Sequence, residues 1–370
     1  MKIQTTRDEL LNKILFVNRA MAPKITNFIL SGIMLETSNN FLNVYSTDLE
    51  TSIKSSIAVN TIEGGRVVVP SKILINVLKS FTESKVGIEF LPTTNELKIT
   101  CQNAEFKLNT YSLEEYPQFP QIKKQNSFKI NLKNLKQLIS KVQKSSSTDE
   151  SRIILTGILI DISNGSIKLV STDSYRLSLV EDKASYENNP IKVVVPARVL
   201  DTLLRSDLAD GEVEVNIEEN QISFVLNENK NISTVIISRL LSGKFPDYDK
   251  LIPTTFNHSI IMNKDLMLEV VKRVSSISQD NIPVRLDIEK GKVTVSMNIR
   301  EVGSSSEDIE VVYGEEKIQM AFNPDFLIDG LNIMDSEKII FCIVEPLRPV
   351  LIRPEKIENL SYLLMPIRIS

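Results

Sequence analysis

The chain has 370 residues, 42% of them hydrophobic and 24% charged, with a formal net charge of −4. That length exceeds the roughly 250–300 residues one hydrophobic core organises, so two or three domains are expected, and the composition excludes a disordered or low-complexity chain. So small a net charge neither indicates nor excludes a polyanionic partner until its distribution is known.

The opening MKIQTTRDELL carries acids within its first ten positions and lacks the apolar stretch of a signal peptide. The longest aliphatic run, Ile339 to Val344, is far short of the about 20 residues a bilayer span needs. Neither secretion nor membrane insertion is expected. Cys101 and Cys342 each stand alone in an apolar strand-like run without metal or disulfide spacing, which fits a reducing cytoplasm. In that compartment the Asn231-Ile232-Ser233 sequon is a chance match.

In chain order, a short strand leads into a helix over residues 6–19, in MKIQTTRDELLNKILFV. GIMLETSNNFLNVYSTDLETSI alternates apolar and polar residues and predicts strands around polar turns. GRVVVPSKILINVLKSF runs a β-branched strand into Pro70 and a helix over 70–81. Proline suits the first helical position, where it has no hydrogen bond to lose. The apolar stripe of that helix reads as Ile73, Leu74, Val77, Leu78 and Phe81. Strands follow in GIEFLPTTNELKITCQNAEFKLNTY. The same order then recurs. SFKINLKNLKQLISKVQ predicts a helix over 129–144 and IKVVVPARVLDTLLRSD one over 196–206, with strands in GILIDISNGSIKLVSTDSYRLSL and VEVNIEENQISFVLNENKNISTVII. A third pass places helices over 262–274 and 322–335, with strands in PVRLDIEKGKVTVSMN and KIIFCIVEPLRPVLIRP. Pro70, Pro196 and Pro324 mark the passes, 126 and 128 residues apart.

One α+β unit of about 120 residues is thus written three times. YSLEEYPQFPQIKKQN and SGKFPDYDKLIPTTFN join the units, and their Phe, Tyr and Pro suit extended connectors whose rings dock on neighbouring domains. The apolar SYLLMPIRIS occupies the place of a third connector, and reads as a strand plus a connector with nothing after it.

Basic residues collect on the helices. Lys72 and Lys79 lie seven apart on one polar face, Arg198 and Arg205 repeat that spacing, and Lys133 and Lys144 lie three turns apart with Lys136 and Lys141 beside them. The six helical segments carry +1, +2, +5, +1, +1 and −3, together +7, which leaves −11 for the rest of the chain. Any one charged face is explained by solvation, whereas a bias shared by helices of a repeated unit suits a common polyanion. The sixth segment, with Asp325, Asp329 and Asp335, breaks the pattern.

No catalytic constellation is found. His258, the single histidine, reads as an ordinary surface residue. No Gly-rich phosphate loop precedes a Lys-Ser/Thr, and no GxGxxG follows a strand. Asp48 and Asp173 recur within STD, and a Thr-Asp pair that hydrogen-bonds its own turn accounts for them better than catalysis does. No cofactor and no metal are expected.

Three repeats, STDSYRLSL in the second, SGKFPDYDKLIP at the second joint and a terminal LLMPIRIS together resemble the bacterial DNA polymerase III sliding clamp family, its beta subunit. The resemblance spans the chain. It implies an α+β fold of three repeated clamp domains, 1–122, 127–252 and 253–370, each with two helices packed on antiparallel sheets. Two chains would form a head-to-tail homodimer, a six-domain ring with helices lining the hole. Such a ring holds double-stranded DNA electrostatically without base readout, and tethers the DNA polymerase III catalytic subunit, the clamp loader and other clamp-binding-motif proteins. It is not an enzyme, has no membrane partner and works in the cytoplasm.

By the same resemblance, DNA-binding falls to Lys24, Lys72, Lys79, Lys133, Lys136, Lys141, Lys144, Arg198 and Arg205. The dimer contact falls to Phe106 and Leu108 on one chain and Ile277 on the other. A peptide cleft between the second and third domains draws Leu155, Thr172, Ser174, Tyr175, Arg176 and Leu177 from the second repeat and Pro246, Lys250 and Leu251 from the joint. From the third repeat it draws Asn323, Phe326, Leu347 and Pro349, and from the tail Leu363, Leu364, Met365, Pro366, Ile367 and Arg368. Tyr175 stands where the family usually has histidine and Ser174 where glycine is common, which alters one wall of the cleft. The EPLRP segment, Glu345 to Pro349, is richer in proline than a groove wall suggests. Two rival readings are a repeated protein scaffold with no DNA business and a hydrolase using Asp48 or Asp173.

Overall fold

Among the residues described by the computed structural model, which are 1–21, 27–124, 126–184, 186, 189–208, 210–227, 232–278, 282–356 and 359–368, six α-helices form, five within their expected segments and the fifth in chain order running one residue past its own. They are α1 (Arg7–Val17), α2 (Ser71–Ser80), α3 (Leu132–Val142), α4 (Ala197–Leu204), α5 (Lys264–Ser275) and α6 (Pro324–Asn332). Asparagine side chains satisfy the first free amides of three of them. Asn131 Oδ1 accepts from Asn134 N (3.1 Å), Asn263 Oδ1 from Leu266 N (2.9 Å), and Asn323 Oδ1 from Asp325 N (2.9 Å) and Phe326 N (3.2 Å).

Two expectations need correction. Pro70 and Pro196 do not open helices; they close the strands Arg66–Pro70 and Ile191–Pro196, and the helices start one residue later. At Pro70 the ring's fixed φ, −58°, is combined with an extended ψ of 115°, which ends the strand. Only Pro324 occupies the first helical position, behind its Asn323 cap. The buried stripe of α2 also differs. Leu74, Val77, Leu78 and Phe81 are buried as expected, but Ser71 and Ile75 join them, completing an i, i+3, i+4, i+7 face with Leu74 and Leu78, and Ile73 is left 49% exposed.

The chain packs into two compact units. The first comprises residues 1–136 and 198–240, the second 137–197 and 241–370. In the first, a five-stranded sheet orders Asn60–Glu63, Lys2–Thr6, Lys85–Leu91, Glu96–Cys101 and Ala104–Asn109. An eight-stranded antiparallel sheet orders Asn126–Asn131, Glu212–Ile217, Gln221–Asn227, Ser233–Arg239, Thr51–Ala58, Phe41–Thr47, Gly32–Ser38 and Arg66–Pro70. Its fourth and fifth strands join the second repeat to the first. Thr234 lies opposite Ser55 there, and their buried hydroxyls are 2.6 Å apart.

The second unit repeats the plan. Its eight-stranded sheet orders Ile191–Pro196, Gly157–Ser163, Ser166–Thr172, Arg176–Lys183, Leu360–Leu364, Val350–Pro354, Lys338–Ile343 and His258–Asn263. A four-stranded sheet orders Gly303–Glu310, Lys292–Ile299, Val284–Glu289 and Ile318–Phe322. The alternation read in the sequence is visible along Lys292–Ile299, where Val293, Val295 and Met297 are buried.

Both connectors dock by their rings, as expected. In the first unit Tyr116 is buried and donates to Gly32 O (2.9 Å), while Tyr45 meets Tyr116 and Phe119 edge-on at 5.5 and 5.1 Å. In the second, Phe245 and Tyr248 lie in a core with Leu159, Val170, Leu177, Leu351 and Leu363. Gly32 and Gly157 mark how closely the repeats agree. A Cβ on Gly32 would meet Val68 Cγ1 at 2.7 Å and Tyr111 Cδ2 at 2.9 Å; on Gly157 it would meet Val194 Cγ1 at 2.5 Å and Leu241 Cδ1 at 2.7 Å. No helix among the described residues is long and apolar enough to cross a membrane. Cys101 and Cys342 are buried thiols.

Candidate functional site

The apolar tail finds its place in the second unit. Its strand, Leu360–Leu364, pairs with Arg176–Lys183 so that Leu364 faces Arg176 and Leu363 faces Leu177. Beyond the strand, Met365 N donates to Tyr175 O (2.9 Å) and Ile367 N to Ala321 O (2.7 Å). The latter bond has counterparts in the connectors, where Tyr111 N donates to Val68 O (2.8 Å) and Leu241 N to Val194 O (2.9 Å). The tail therefore does stand where a connector would begin. Leu363 and Leu364 are core residues, whereas Met365 and Ile367 remain exposed.

Opposite the tail lies the turn after Thr172. Thr172 Oγ1 accepts from Ser174 N (3.1 Å), and Asp173 Oδ1 accepts from Tyr175 N and Arg176 N, both at 2.9 Å. The first repeat matches it. Thr47 Oγ1 accepts from Leu49 N (3.0 Å), and Asp48 Oδ1 from Glu50 N (3.0 Å) and Thr51 N (2.7 Å). Both Thr-Asp pairs thus serve their own turns. The residues after the aspartates, Leu49 and Ser174, are left at φ 76° and 79°, a region that favours glycine. The glycine usual in the family at Ser174 has that physical reason.

Arg176 ties this turn to α6. Its side chain is only 9% exposed; Nε reaches Asp173 Oδ2 (3.0 Å), Nη1 reaches Asp329 Oδ2 (2.7 Å) and Nη2 donates to Lys144 O (2.5 Å). The guanidinium also lies 4.2 Å from the centre of the Phe326 ring. Tyr362 donates to Phe326 O (2.6 Å), and burial pushes its phenol well above the usual range. Tyr175, 60% exposed, sets its ring 6.4 Å from that of Phe326. Thr172, Ser174, Tyr175, Arg176, Leu177, Phe326 and its capping neighbour Asn323 are thereby joined to Leu363, Leu364 and Met365 by direct contacts.

Arg152 extends the site by donating from Nη1 to Ser174 Oγ (2.9 Å). It belongs to an open groove of about 600 Å³ whose walls include Ile153, Ile154, Leu155, Phe245 and Pro246. Further along that connector Lys250 pairs with Asp247 (2.6 Å), which holds the Asp247 carboxyl below its usual range, and Leu251 is exposed. Leu347 is exposed on the turn closed by Arg348 N and Glu345 O (3.0 Å), and half-buried Pro349 leads into Val350–Pro354. Pro366 is half-buried and Arg368 exposed.

The corresponding position in the first unit is closed by charge. Arg198 Nη2 reaches Asp48 Oδ2 (2.5 Å) and Thr51 Oγ1 (3.1 Å), and Arg239, whose N donates to Glu50 O as Met365 N does to Tyr175 O, also pairs with the Glu50 carboxylate (3.5 Å). Ion pairs stand there in place of an apolar wall.

The nine DNA-binding candidates divide by what holds them. Among the described residues no ion pair is found for Lys72, Lys79, Lys133 or Lys144, although Lys133 lies near Asp210 and, after the bonds from Gly211 N and Asn131, helps to hold that carboxyl below its usual range. Lys136 Nζ instead donates to Ser206 O and Leu208 O, both at 2.7 Å, and burial lowers its pKa. Lys141 is paired with Asp335 and bonded to Ile333 O. Arg198 serves Asp48 as described, and Arg205 pairs with Asp201 one turn earlier (2.7 Å). Lys24 lies outside the described residues, as does Asn231 of the sequon. The acidity of the sixth helical segment now has a cause: Asp329 and Asp335 bind Arg176 and Lys141. Sequence reading sees both acids only as a break in the charge pattern and misses Arg152 and Tyr362, because only the fold brings them to their partners.

Among the outer strands of the four sheets, two carry or adjoin the residues expected at the dimer contact. Ala104–Asn109 is the outer strand of the five-stranded sheet, with Leu108 buried and Phe106 partly exposed over Phe81 (5.6 Å between ring centres). Gly303–Glu310 is the outer strand of the four-stranded sheet, and Ile277 is half-buried just after α5. His258 is half-buried, its Nδ1 2.5 Å from Glu315 Oε2 and 3.2 Å from Tyr313 Oη, rather than free at the surface. Among the described residues no group of His, Cys, Asp and Glu is arranged to hold a metal.

A helix-and-sheet unit written three times, with sheets that run on across the joints and a peptide-sized groove at one of them, is the architecture of a sliding clamp. Family models match in order: the N-terminal domain of the DNA polymerase III beta subunit over residues 1–120, its central domain over 129–247 and its C-terminal domain over 249–368. The beta sliding clamp of Bacillus subtilis is 30% identical, with 100% of each chain covered, and that of Streptococcus pneumoniae serotype 4 is 30% identical over 97% of this chain and 98% of the relative. Among solved structures, the Bacillus subtilis sliding clamp matches with a TM-score of 0.92 at 28% identity. The Bartonella birtlesii clamp bound to griselimycin matches with 0.93 at 27%, and in both cases 100% of each chain is covered. The chain belongs to the DNA polymerase III beta-subunit family, the beta sliding clamps of DNA replication.

Proposed function

We propose that two copies of this chain close head to tail into a six-domain ring around duplex DNA and tether the DNA polymerase III catalytic subunit, the clamp loader and other proteins that carry a clamp-binding motif. In this reading the domains are 1–122, 127–252 and 253–370, the setting is the cytoplasm, and no bond is made or broken. The match of all three repeats, in order, to one family carries the proposal.

The geometry supports it in three ways. Lys72, Lys79 and Lys144, for which no ion pair is found among the described residues, and Lys133 beside Asp210 offer ammonium groups suited to phosphates, which are bound without base readout. Arg205 shares its charge with Asp201, while Lys136, Lys141 and Arg198 act mainly by holding the helices that carry the others. The free edges at Ala104–Asn109 and Gly303–Glu310 suit a heterologous contact made twice, with Phe106, Leu108 and Ile277 at the seam. Exposed Tyr175, Leu251, Leu347, Met365 and Ile367, around Phe326 and Leu155, suit a peptide that brings its own apolar anchors. Tyr175 in place of histidine gives that wall a wider ring and shifts which anchors fit.

Retention on DNA is the test. After loading, the protein should stay on a closed circular duplex and leave the same duplex once it is linearised. Equal retention on both would remove the clamp reading.

A further inference from the structure

We propose that a groove beside the start of α2 binds single-stranded DNA, with Phe28 as the platform for a stacked base and Lys72 as the contact to its phosphate. The short 3-10 turn Phe28–Ser31, the first residues of α2 and Tyr111 enclose an open groove of about 540 Å³. Its walls are Phe28, Pro70, Ile73 and Tyr111, and Lys72 is its one charged residue. Phe28 is 72% exposed yet held in place: its ring lies 4.7 Å from that of Tyr111, whose hydroxyl is 3.1 Å from Ser31 Oγ.

The chemistry of the lining selects the ligand. A cation with no carboxylate beside it calls for an anion, and a flat, exposed aromatic face calls for another flat ring. A peptide would need polar groups to fix its backbone. The three hydroxyls of the lining are already engaged, Ser31 with Phe28 O (2.6 Å) and with the Tyr111 hydroxyl, and Ser71 with Asn18. Stacking plus one phosphate contact asks for nothing more. Lys72 also begins the polar face of α2 on which Lys79 lies two turns later, so the groove continues the surface proposed to meet DNA, and to that extent the inference rests on the clamp reading. The second repeat lacks the features. Ile153, four residues before Gly157 as Phe28 is before Gly32, replaces the ring, and Arg198, which occupies the place of Lys72, is paired with Asp48.

The test uses the full chain and a fluorescently labelled oligo-dT, with anisotropy read at fixed salt. Phe28→Ala and Phe28→Leu should each weaken binding by about 5-fold or more, the loss of one stacked base, while Phe28→Tyr keeps it. Lys72→Ala should lower the slope of log affinity against log salt by roughly 0.7. Phe28→Leu binding as tightly as the wild type would overturn the proposal, since apolar bulk would then suffice. So would displacement of the oligonucleotide from the Phe28 site by an acidic apolar peptide, which would assign the groove to a protein partner. Thermal melts should show Phe28→Ala folded, as expected for so exposed a ring, and its retention on circular duplex should be unchanged. If the wild type is not retained on circles, the clamp reading fails whatever the oligo-dT result; if it is retained and Phe28→Ala binds oligo-dT normally, the groove alone fails.

Discussion

Arg176 commits each guanidinium nitrogen to a partner, and the partners come from three different segments of chain: its own turn, the residues that follow α3, and α6. Removing such a side chain leaves Asp173 and Asp329 without their counter-charge in a largely dry setting, and breaking a buried pair in this way costs about 3 kcal/mol. Arg176→Ala should therefore lower the stability of the chain by about 3 kcal/mol in chemical denaturation. Arg176→Lys should recover little, because a single ammonium cannot span the fork or stack on Phe326. A loss below about 1 kcal/mol would mean that water replaces the network. The motif proposes Arg176 for the cleft, but its bond to Asp329 leaves no mark in the sequence, since the two are 153 positions apart. Lys136 and Lys141 make the same point from the other side. Their helical spacing marks a basic face, yet a backbone carbonyl or a distant aspartate decides whether a given lysine is free, and neither leaves a trace in spacing.

Elements were more legible than the contacts they make. The strand alternation and the aromatic connectors follow from local chemistry that the sequence displays openly, whereas the three Asn caps are seen only in the structure. Of the stripe read on α2 only Ile73 faces outward, Ile75 taking its place, because the inward face depends on where the helix begins and Pro70 ends a strand one residue before that point. The docked connector rings carry a consequence for alkaline stability. Burial pushes the phenols of Tyr45, the strand residue on which the first connector docks, and of Tyr248 in the second connector up to about 12 from the usual 10.0. Above pH 10 the unfolded chain loses these protons while the folded chain keeps them, so stability present below pH 10 is lost as pH rises toward 12. Melting temperature should fall over that window, and Tyr45→Phe should make the fall shallower; an identical slope in that variant would show that Tyr45 plays no part. The tail gives a second prediction at this scale. Deleting residues 365–370 removes the backbone bonds to Tyr175 and Ala321 and the exposed Met365 and Ile367, but leaves the strand Leu360–Leu364 paired. Binding of a polymerase-derived peptide should vanish while the mass in solution stays that of a dimer. Unchanged peptide affinity would place the cleft elsewhere.

For the molecule as a whole, assembly is expected to depend on the outer strand Ala104–Asn109. Phe106→Asp puts a charge on that edge beside Phe81, and a solution mass that falls to one chain is the expected outcome; a dimer that survives would move the contact away from this strand. The same sheets limit how the chain can be shortened. Although the sequence repeats like beads, the ladders do not respect the repeats: Thr51–Ala58 is finished by Ser233–Arg239, and Arg176–Lys183 by Leu360–Leu364. Arrays such as solenoids tolerate loss or gain of a module because each one contacts only its neighbours through a repeated interface. Here, excising a module would cut an eight-stranded sheet mid-ladder and bare a sticky, apolar border. Excision of one module is thereby penalised by the backbone itself, whatever its side chains.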